Sequence, residues 1–247
     1  MKRLFAAFLM FSLVACKESP KTDMTAQEIV DRSIEDSGGK LYQDFNTSFY
    51  FRDRRYISEN VDGRKVLKRI TFLDTVTITD IRTDTLFQRF MNDSLVDLND
   101  SIANRYSNSV NSVHYFARLP FGLNDGAVNK ELMGEETIRG KDYYKIKVTF
   151  AKEGGGKDFD DTYVYWFDKQ TFKPDYLAYD FHVNGGGQRF REAFNERYVN
   201  GIRFVDYKNY KPKDKGSGIL EIGQLFEKGE LELLSNIELE KIEVTGS

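Results

Sequence analysis

Few residues of this 247-residue chain are of types that do chemistry, and they are scattered. His114 and His182 are its two histidines, and no third ligand at the spacing of an HExxH motif accompanies them, so a zinc or general-base pair has little to build on. Asp158, Asp160 and Asp161 follow the run Gly154-Gly155-Gly156. Alternate carboxylates in a glycine-rich loop could collect oxygen ligands for Ca²⁺, but the bidentate Glu and full spacing of an EF-hand are missing, and an acidic solvated turn is the plainer reading. The runs at Gly154 and Gly185 would let backbone approach a phosphate, yet neither opens a helix or precedes Lys-Ser/Thr, so both read as hairpin loops. Arg189 and Arg191 project from one strand face beside Gly187 and could meet a carboxylate or phosphate head group at a cavity rim. Pairing with acids across neighbouring strands is the competing account. No GxSxG or other activated nucleophile appears. These residues predict no metal, no cofactor and no catalytic residue.

The stretch that must position the arginines runs from Asp161 to Pro212 and is rich in aromatics. Its first two strands, Thr162–Asp168 and Asp175–Val183, carry large apolar groups on both faces. In the first, Tyr163, Tyr165 and Phe167 point one way, and Val164 and Trp166 the other. A sheet apolar on both sides must be covered on both, by helices, another sheet or a ligand. If one face is concave and shelters a ligand, the candidate lining is Tyr163, Tyr165, Phe167, Tyr176, Tyr179 and Phe181, with Arg189 and Arg191 at the rim. The same aromatics could equally be plain core.

Asn200-Gly201 predicts a type I′ hairpin, because both residues accept positive φ. An unbroken register then pairs Val199 with Ile202 and Phe194 with Tyr207. It places Phe194, Tyr198, Val205 and Tyr207 on one face, and Arg189, Arg191 and Arg197 on the other, nearer solvent.

Elsewhere, Thr25-Ala26-Gln27-Glu28 is a capping box opening a short amphipathic helix that Gly38-Gly39 ends. Phe45–Asn60 and Arg64–Leu73 read as strands around Val61-Asp62-Gly63, followed by strands at Val76–Thr83, Thr85–Met91 and Ser94–Leu98. Ile102, Tyr106, Val110, Val113 and Ala117 then recur at helical spacing, and Pro120 stops that helix. Glu131–Arg139 and Asp142–Ala151 form a hairpin, Leu220–Phe226 is helix or strand, and Leu231–Val244 is strand-like. The expectation is a mainly β (β-dominated α+β) chain: a single curved antiparallel sheet or open half-barrel of about ten strands, with two helices packed on or across it, residues 25–247 forming one domain. The helix at residues 100–118 is placed to act as a lid.

Residues 1–15 read as a signal segment: Lys2 and Arg3, then an apolar run from Leu4 to Val14 too short to span a membrane as a helix. Leu13-Val14-Ala15-Cys16 resembles a bacterial lipobox, which makes Cys16 the acylation site and residues 16–24 a tether. Cys16 is the only cysteine, which excludes an intrachain disulfide and a thiolate metal cluster. Loss of Lys2 and Arg3 would make the formal net charge of −3 more negative by two, which argues against nucleic acid as a partner. Lys17-Glu18 resembles the export signal of surface lipoproteins in Bacteroidetes. The expected location is the outer membrane, lipid-anchored, on its periplasmic face or the cell surface.

The lipobox, tether, TAQEIVDRSIEDSGG helix, long antiparallel sheet and helix around residues 100–118 together resemble the half-barrel superfamily of lipoprotein carriers. More closely, Gly154-Gly155-Gly156 with Asp158, YWFDKQTFKPDYLAY and GGGQRFREAFNERYVNGIRFVDYKNYKP resemble an uncharacterised family of Bacteroidetes lipoproteins. The resemblance implies the half-barrel and the envelope location, and brings no catalytic residues. A deoxyribose-phosphate aldolase label carried by some relatives requires a parallel βα barrel, and this chain lacks alternating βα units. Two functions follow as expectations: a non-catalytic lipoprotein binding an apolar or lipid-like molecule on the concave face, or a scaffold subunit bound to an outer-membrane protein.

Overall fold

Two-residue turns with positive φ at both positions set the strand boundaries. Asn200 and Gly201 (φ 46° and 84°) join Gly187–Val199 (β11) to Ile202–Pro212 (β12), as the sequence predicts. Arg52 and Asp53 (φ 50° and 58°) do the same without an Asn-Gly signature. They split the expected single strand Phe45–Asn60 into Phe45–Phe51 (β1) and Arg54–Val61 (β2). The computed structural model describes residues 24–153, 160–182, 185–214 and 216–246. Cys16 and the tether, Gly154–Gly156 and Asp158 lie outside the described residues.

The fold is mainly β, and the described strands divide into two antiparallel seven-stranded sheets, neither closed into a barrel. The first contains β1, β2, Arg64–Phe72 (β3), Thr77–Arg82 (β4), Phe87–Met91 (β5) and Ser94–Leu95 (β6), with Glu240–Gly246 (β14) paired onto β1. The second runs in sequence order from Val128–Ile138 (β7) through Lys141–Phe150 (β8), Tyr163–Asp168 (β9), Pro174–Phe181 (β10), β11 and β12 to Leu231–Ile237 (β13). The chain therefore crosses from one sheet to the other between β13 and β14. Asp206, 2% exposed, pins that crossing. It accepts from Leu239 N at 2.9 Å, from Asn195 Nδ2 at 2.6 Å and from Arg197 Nη2 at 2.9 Å. The chain leaves the first sheet after β6 and returns to it at Glu238 and Leu239, which interrupt what the alternation suggests is one continuous strand.

The second sheet is apolar on both faces, and each face is covered. Helix α1 (Ala26–Asp36) is capped as predicted, Thr25 and Glu28 bonding reciprocally. Its Ala26, Ile29 and Val30 pack with Leu119 and Leu123 over Tyr144, Ile146, Tyr165, Phe167 and Leu177. On the other face Ile222 and Phe226 of helix α4 (Ile222–Glu227) cover Val164, Trp166, Tyr176 and Phe190. The expected ambiguity at Leu220–Phe226 thus resolves as helix. Trp166 is fully buried and its indole N–H donates to Glu136 at 3.0 Å, so the large ring brings no unpaired donor into the core. Burial of each such side chain contributes about 1.5–3 kcal/mol.

Helix α3 (Asp100–Ala117), capped by Asn99, lies between the sheets. It contacts β3, β4 and β5 on one side. On the other, Tyr115 and Phe116 stack edge-on or tilted against Tyr163, Phe150 and Tyr179. The short helix α2 (Leu41–Asp44) sets Tyr42 into a third apolar cluster, with Phe49, Tyr56, Ile202, Phe204 and Val244, where the two sheets meet.

Candidate functional site: an aromatic cavity between the sheets

Helix α3 does not fill the space between the sheets. A cavity of about 410 Å³ remains, a size typical of small-molecule sites. Its walls come from every layer of the fold. Helix α3 gives Val113, Phe116 and Ala117. The second sheet gives Tyr163, Tyr179, Phe181, Val205 and Tyr207, and Ile237 and Leu239 close the side at the crossover. Phe51 and Arg52, at the turn after β1, reach in from the first sheet.

The inward polar groups are few. Arg189 and Arg191 of β11, Asn209 of β12, Ser112 of α3 and Asp161 line the same space. Arg191 is 8% exposed; its Nη2 donates to Tyr179 Oη at 3.1 Å and its guanidinium lies 3.8 Å from the Phe116 ring centroid. Arg191 Nε, Tyr207 Oη and Asn209 Oδ1 have no hydrogen-bond partner among the described residues. Burial raises the Tyr207 hydroxyl above the ordinary tyrosine value, the nearby Arg203 and Arg191 pulling the other way. Arg189 donates to the Gln188 carbonyl and lies 4.9 Å from the Phe181 ring. Gly187 pairs with Phe181, and a Cβ at Gly187, where φ is 151°, would sit 3.1 Å from the Phe181 ring. The glycine lets that ring lie flat along the cavity wall.

Of the candidate lining residues, Tyr163, Tyr179, Phe181, Arg189 and Arg191 stand around the cavity. Tyr165 and Phe167 share Tyr163's face but lie in the closed core, where Tyr115 covers Tyr165 with hydroxyls 3.1 Å apart. Tyr176 is a correction. It stands three residues from Tyr179, hence on the opposite face, packed on Phe190 and Phe226. The arginines are a second correction. A bulge at Asn195 (φ 51°) shifts the hairpin register by one, so Tyr207 pairs with Ala193 and Phe194 with Asp206. Arg189 and Arg191 therefore share a face with Val205 and Tyr207 and point inward, not to solvent. Val113, Phe116, Ile237 and Leu239 also line the cavity, and nothing local in the sequence says that α3 and the β13–β14 crossover meet the same sheet face.

The two histidines do unrelated things. His114 is 1% exposed, packed edge-on to Phe49 and Tyr56, and bonded through Nε2 to the Lys68 carbonyl at 3.1 Å. Burial pushes its pKa down to about 3, so it is a neutral core residue. His182 is exposed and bonded through Nδ1 to Asp161 at 3.0 Å, which raises its pKa. Among the described residues no three His, Cys, Asp or Glu side chains gather to hold a metal ion, and no helix is long and apolar enough to cross a membrane.

None of the curated proteins matches the sequence. Solved structures with a similar course include a LolA-superfamily protein from Nitrosomonas europaea, 14% identical, with a TM-score of 0.48 over 90% of this chain and 92% of that one. A DUF1329-family protein from Desulfovibrio piger is 11% identical, with a TM-score of 0.45 over 90% and 91% of the two chains. An outer-membrane lipoprotein-sorting protein domain from Vibrio parahaemolyticus is 8% identical, with a TM-score of 0.35 over 87% and 93%. The family model of DUF6503, a family of unknown function, matches residues 2–239, and the chain belongs to that family.

Proposed function

We propose that this chain is a membrane-anchored lipoprotein that holds an apolar, lipid-like molecule in the cavity between its two sheets. One observation carries the reading: a 410 Å³ space walled chiefly by aromatic and aliphatic side chains from both sheets and from α3. Small-molecule sites are concave and lined chiefly by apolar and aromatic side chains with a few polar groups, which is the make-up of this cavity. The lipobox ending in Cys16 supports lipid anchoring, with the outer membrane as the expected site. Native mass spectrometry of protein purified gently from its own membranes tests the binding. A co-purifying lipid-sized adduct is expected, and its repeated absence would count against the reading.

A scaffold role has one observation of its own. Phe72, Leu73 and Leu95 are 51%, 54% and 62% exposed and lie toward one end of the outer strands β3 to β6, Phe72 and Leu95 on the same sheet face. Exposed apolar clusters mark contact surfaces. In-cell crosslinking separates the two readings: a stoichiometric protein partner without any lipid favours the scaffold.

A further inference from the structure

Arg191 is an unusual arginine in this molecule. The other deeply buried arginines meet carboxylates: Arg69 meets Asp80 at 2.6 Å and Arg203 meets Glu196 at 2.6 Å. Arg191 has no carboxylate partner among the described residues. Its Nη2 reaches a neutral tyrosine hydroxyl, its plane rests on the Phe116 ring, and its Nε–H has no acceptor. Aromatic faces offset part of the cost of removing a cation from water, but they leave the N–H unsatisfied. The Tyr207 ring lies 6.0 Å from the same guanidinium, 2% exposed, and its hydroxyl proton has no acceptor either. Both residues line the cavity, so its wall contains a cation without a carboxylate partner and a tyrosine without an acceptor.

The charge around that space is mainly positive. Three arginines line the cavity: Arg191 inside, Arg189 half-buried, and Arg52 exposed at the turn after β1. The lining acid among them, Asp161, already accepts from His182. A low-dielectric cleft lined by cations concentrates anions. A guanidinium without a carboxylate partner matches a planar monoanion that accepts through two oxygens. Asn209 can add a further donor by turning its amide, since the two ends of that group are interchangeable in shape.

We propose that the molecule held in the cavity is a long-chain carboxylate. Its alkyl body lies against Val113, Phe116, Tyr163 and Ile237, and its carboxylate pairs with the Arg191 guanidinium at the wall that Tyr207 shares. The proposal rests on the binding reading above and adds the identity of the head group.

Displacement of the neutral fluorophore N-phenylnaphthylamine from the delipidated full chain tests it, with hexadecanoate and hexadecanol compared at about pH 8, where the acid is ionised. The acid is expected to displace the fluorophore at a concentration about tenfold or more below the alcohol, the usual advantage of a hydrogen bond to a charged group. Arg191→Gln should bring the acid to the level of the alcohol, with alcohol binding kept within about threefold of the wild type. Tyr207→Phe deletes one buried oxygen, is the variant surest to fold, and should reduce the acid's advantage several-fold. Equal displacement by acid and alcohol in the wild type, or an advantage that survives both substitutions, would overturn the carboxylate proposal and leave the binding reading standing. Failure of fluorophore, acid and alcohol alike to bind would overturn the binding reading, and this proposal with it.

Discussion

Arg69 of β3 and Asp80 of β4 stand directly opposite one another, 2.6 Å apart, with side chains 5% and 1% exposed. Arg89 of β5 approaches the same carboxylate at 2.7 Å. Both arginines also reach α3: Arg69 donates to Ser109 Oγ at 2.8 Å, and Arg89 lies 3.4 Å from the Tyr106 ring centroid. One carboxylate therefore holds three strands together and presents two guanidiniums to the helix that walls the cavity. Replacing Asp80 by Asn keeps the shape and removes the charge, leaving two buried cations without a counterion. The expected loss is about 3–5 kcal/mol in urea unfolding, and an unchanged midpoint would contradict this account.

Val113 lines the cavity from α3 and is only partly buried. Val113→Trp should fill the space and lower the affinity for N-phenylnaphthylamine by about tenfold or more, while stability changes by about 1–3 kcal/mol at most. Undiminished fluorophore binding would place the bound molecule elsewhere.

His114 makes stability depend on pH. The unfolded residue takes up its proton near the ordinary histidine value of 6.5, the folded one only near 3. Between these values the unfolded state holds the extra proton, so stability falls as pH is lowered, by about 1.4 kcal/mol per pH unit at most. His114→Leu should lose this component. Its stability relative to the wild type should rise steadily from about pH 7 to about pH 4, as read by urea unfolding at each pH. Parallel curves would mean that the imidazole is not held neutral by burial.

Gly201 has φ 84°, and a Cβ there would meet Leu41 Cδ1 at 2.8 Å. Leu41 can move aside, but the backbone cannot. Gly201→Val should therefore cost about 1–2 kcal/mol. A denaturant midpoint equal to the wild type would mean that the turn does not require the left-handed conformation.

Cys16 lies outside the described residues, and its acylation is a proposal from sequence. Cys16→Ser should release the protein from membranes, or leave an uncleaved precursor there. A variant processed and fractionated as the wild type is would remove the lipid anchor from the proposed function.

Local signals were legible in the sequence wherever a few neighbouring residues decide the geometry. The Thr25–Glu28 capping box, the Asn200-Gly201 turn and the helical spacing from Ile102 to Ala117 are of this kind. The turn at Arg52-Asp53 was not legible, because it lacks the glycine that marks the Asn200-Gly201 turn and Arg52 rarely takes positive φ. The bulge at Asn195 has no local signature either: Asn195 bonds Asp206 across the hairpin, and Asp206 in turn holds Leu239 of the crossover, farther along the chain. That single shift turned Arg189 and Arg191 from an expected wet face to the inside. The candidate site was thus half legible, its aromatic strands visible and the orientation of its charges not.

The pairing of β1 with β14 bears on how the protein forms. Phe45 lies opposite Gly246, so the first strand of the sequence borders the last described one. The second sheet is a meander of neighbouring hairpins and can assemble from short-range contacts. The first has its own run of hairpins from β1 to β6, but its outer edge must wait for β14, and β14 can arrive only after the whole second sheet has been laid down. Loops that long close slowly, and rates fall as contacts become less local. The hairpins of both sheets should therefore form before the edge at β1 is sealed by β14.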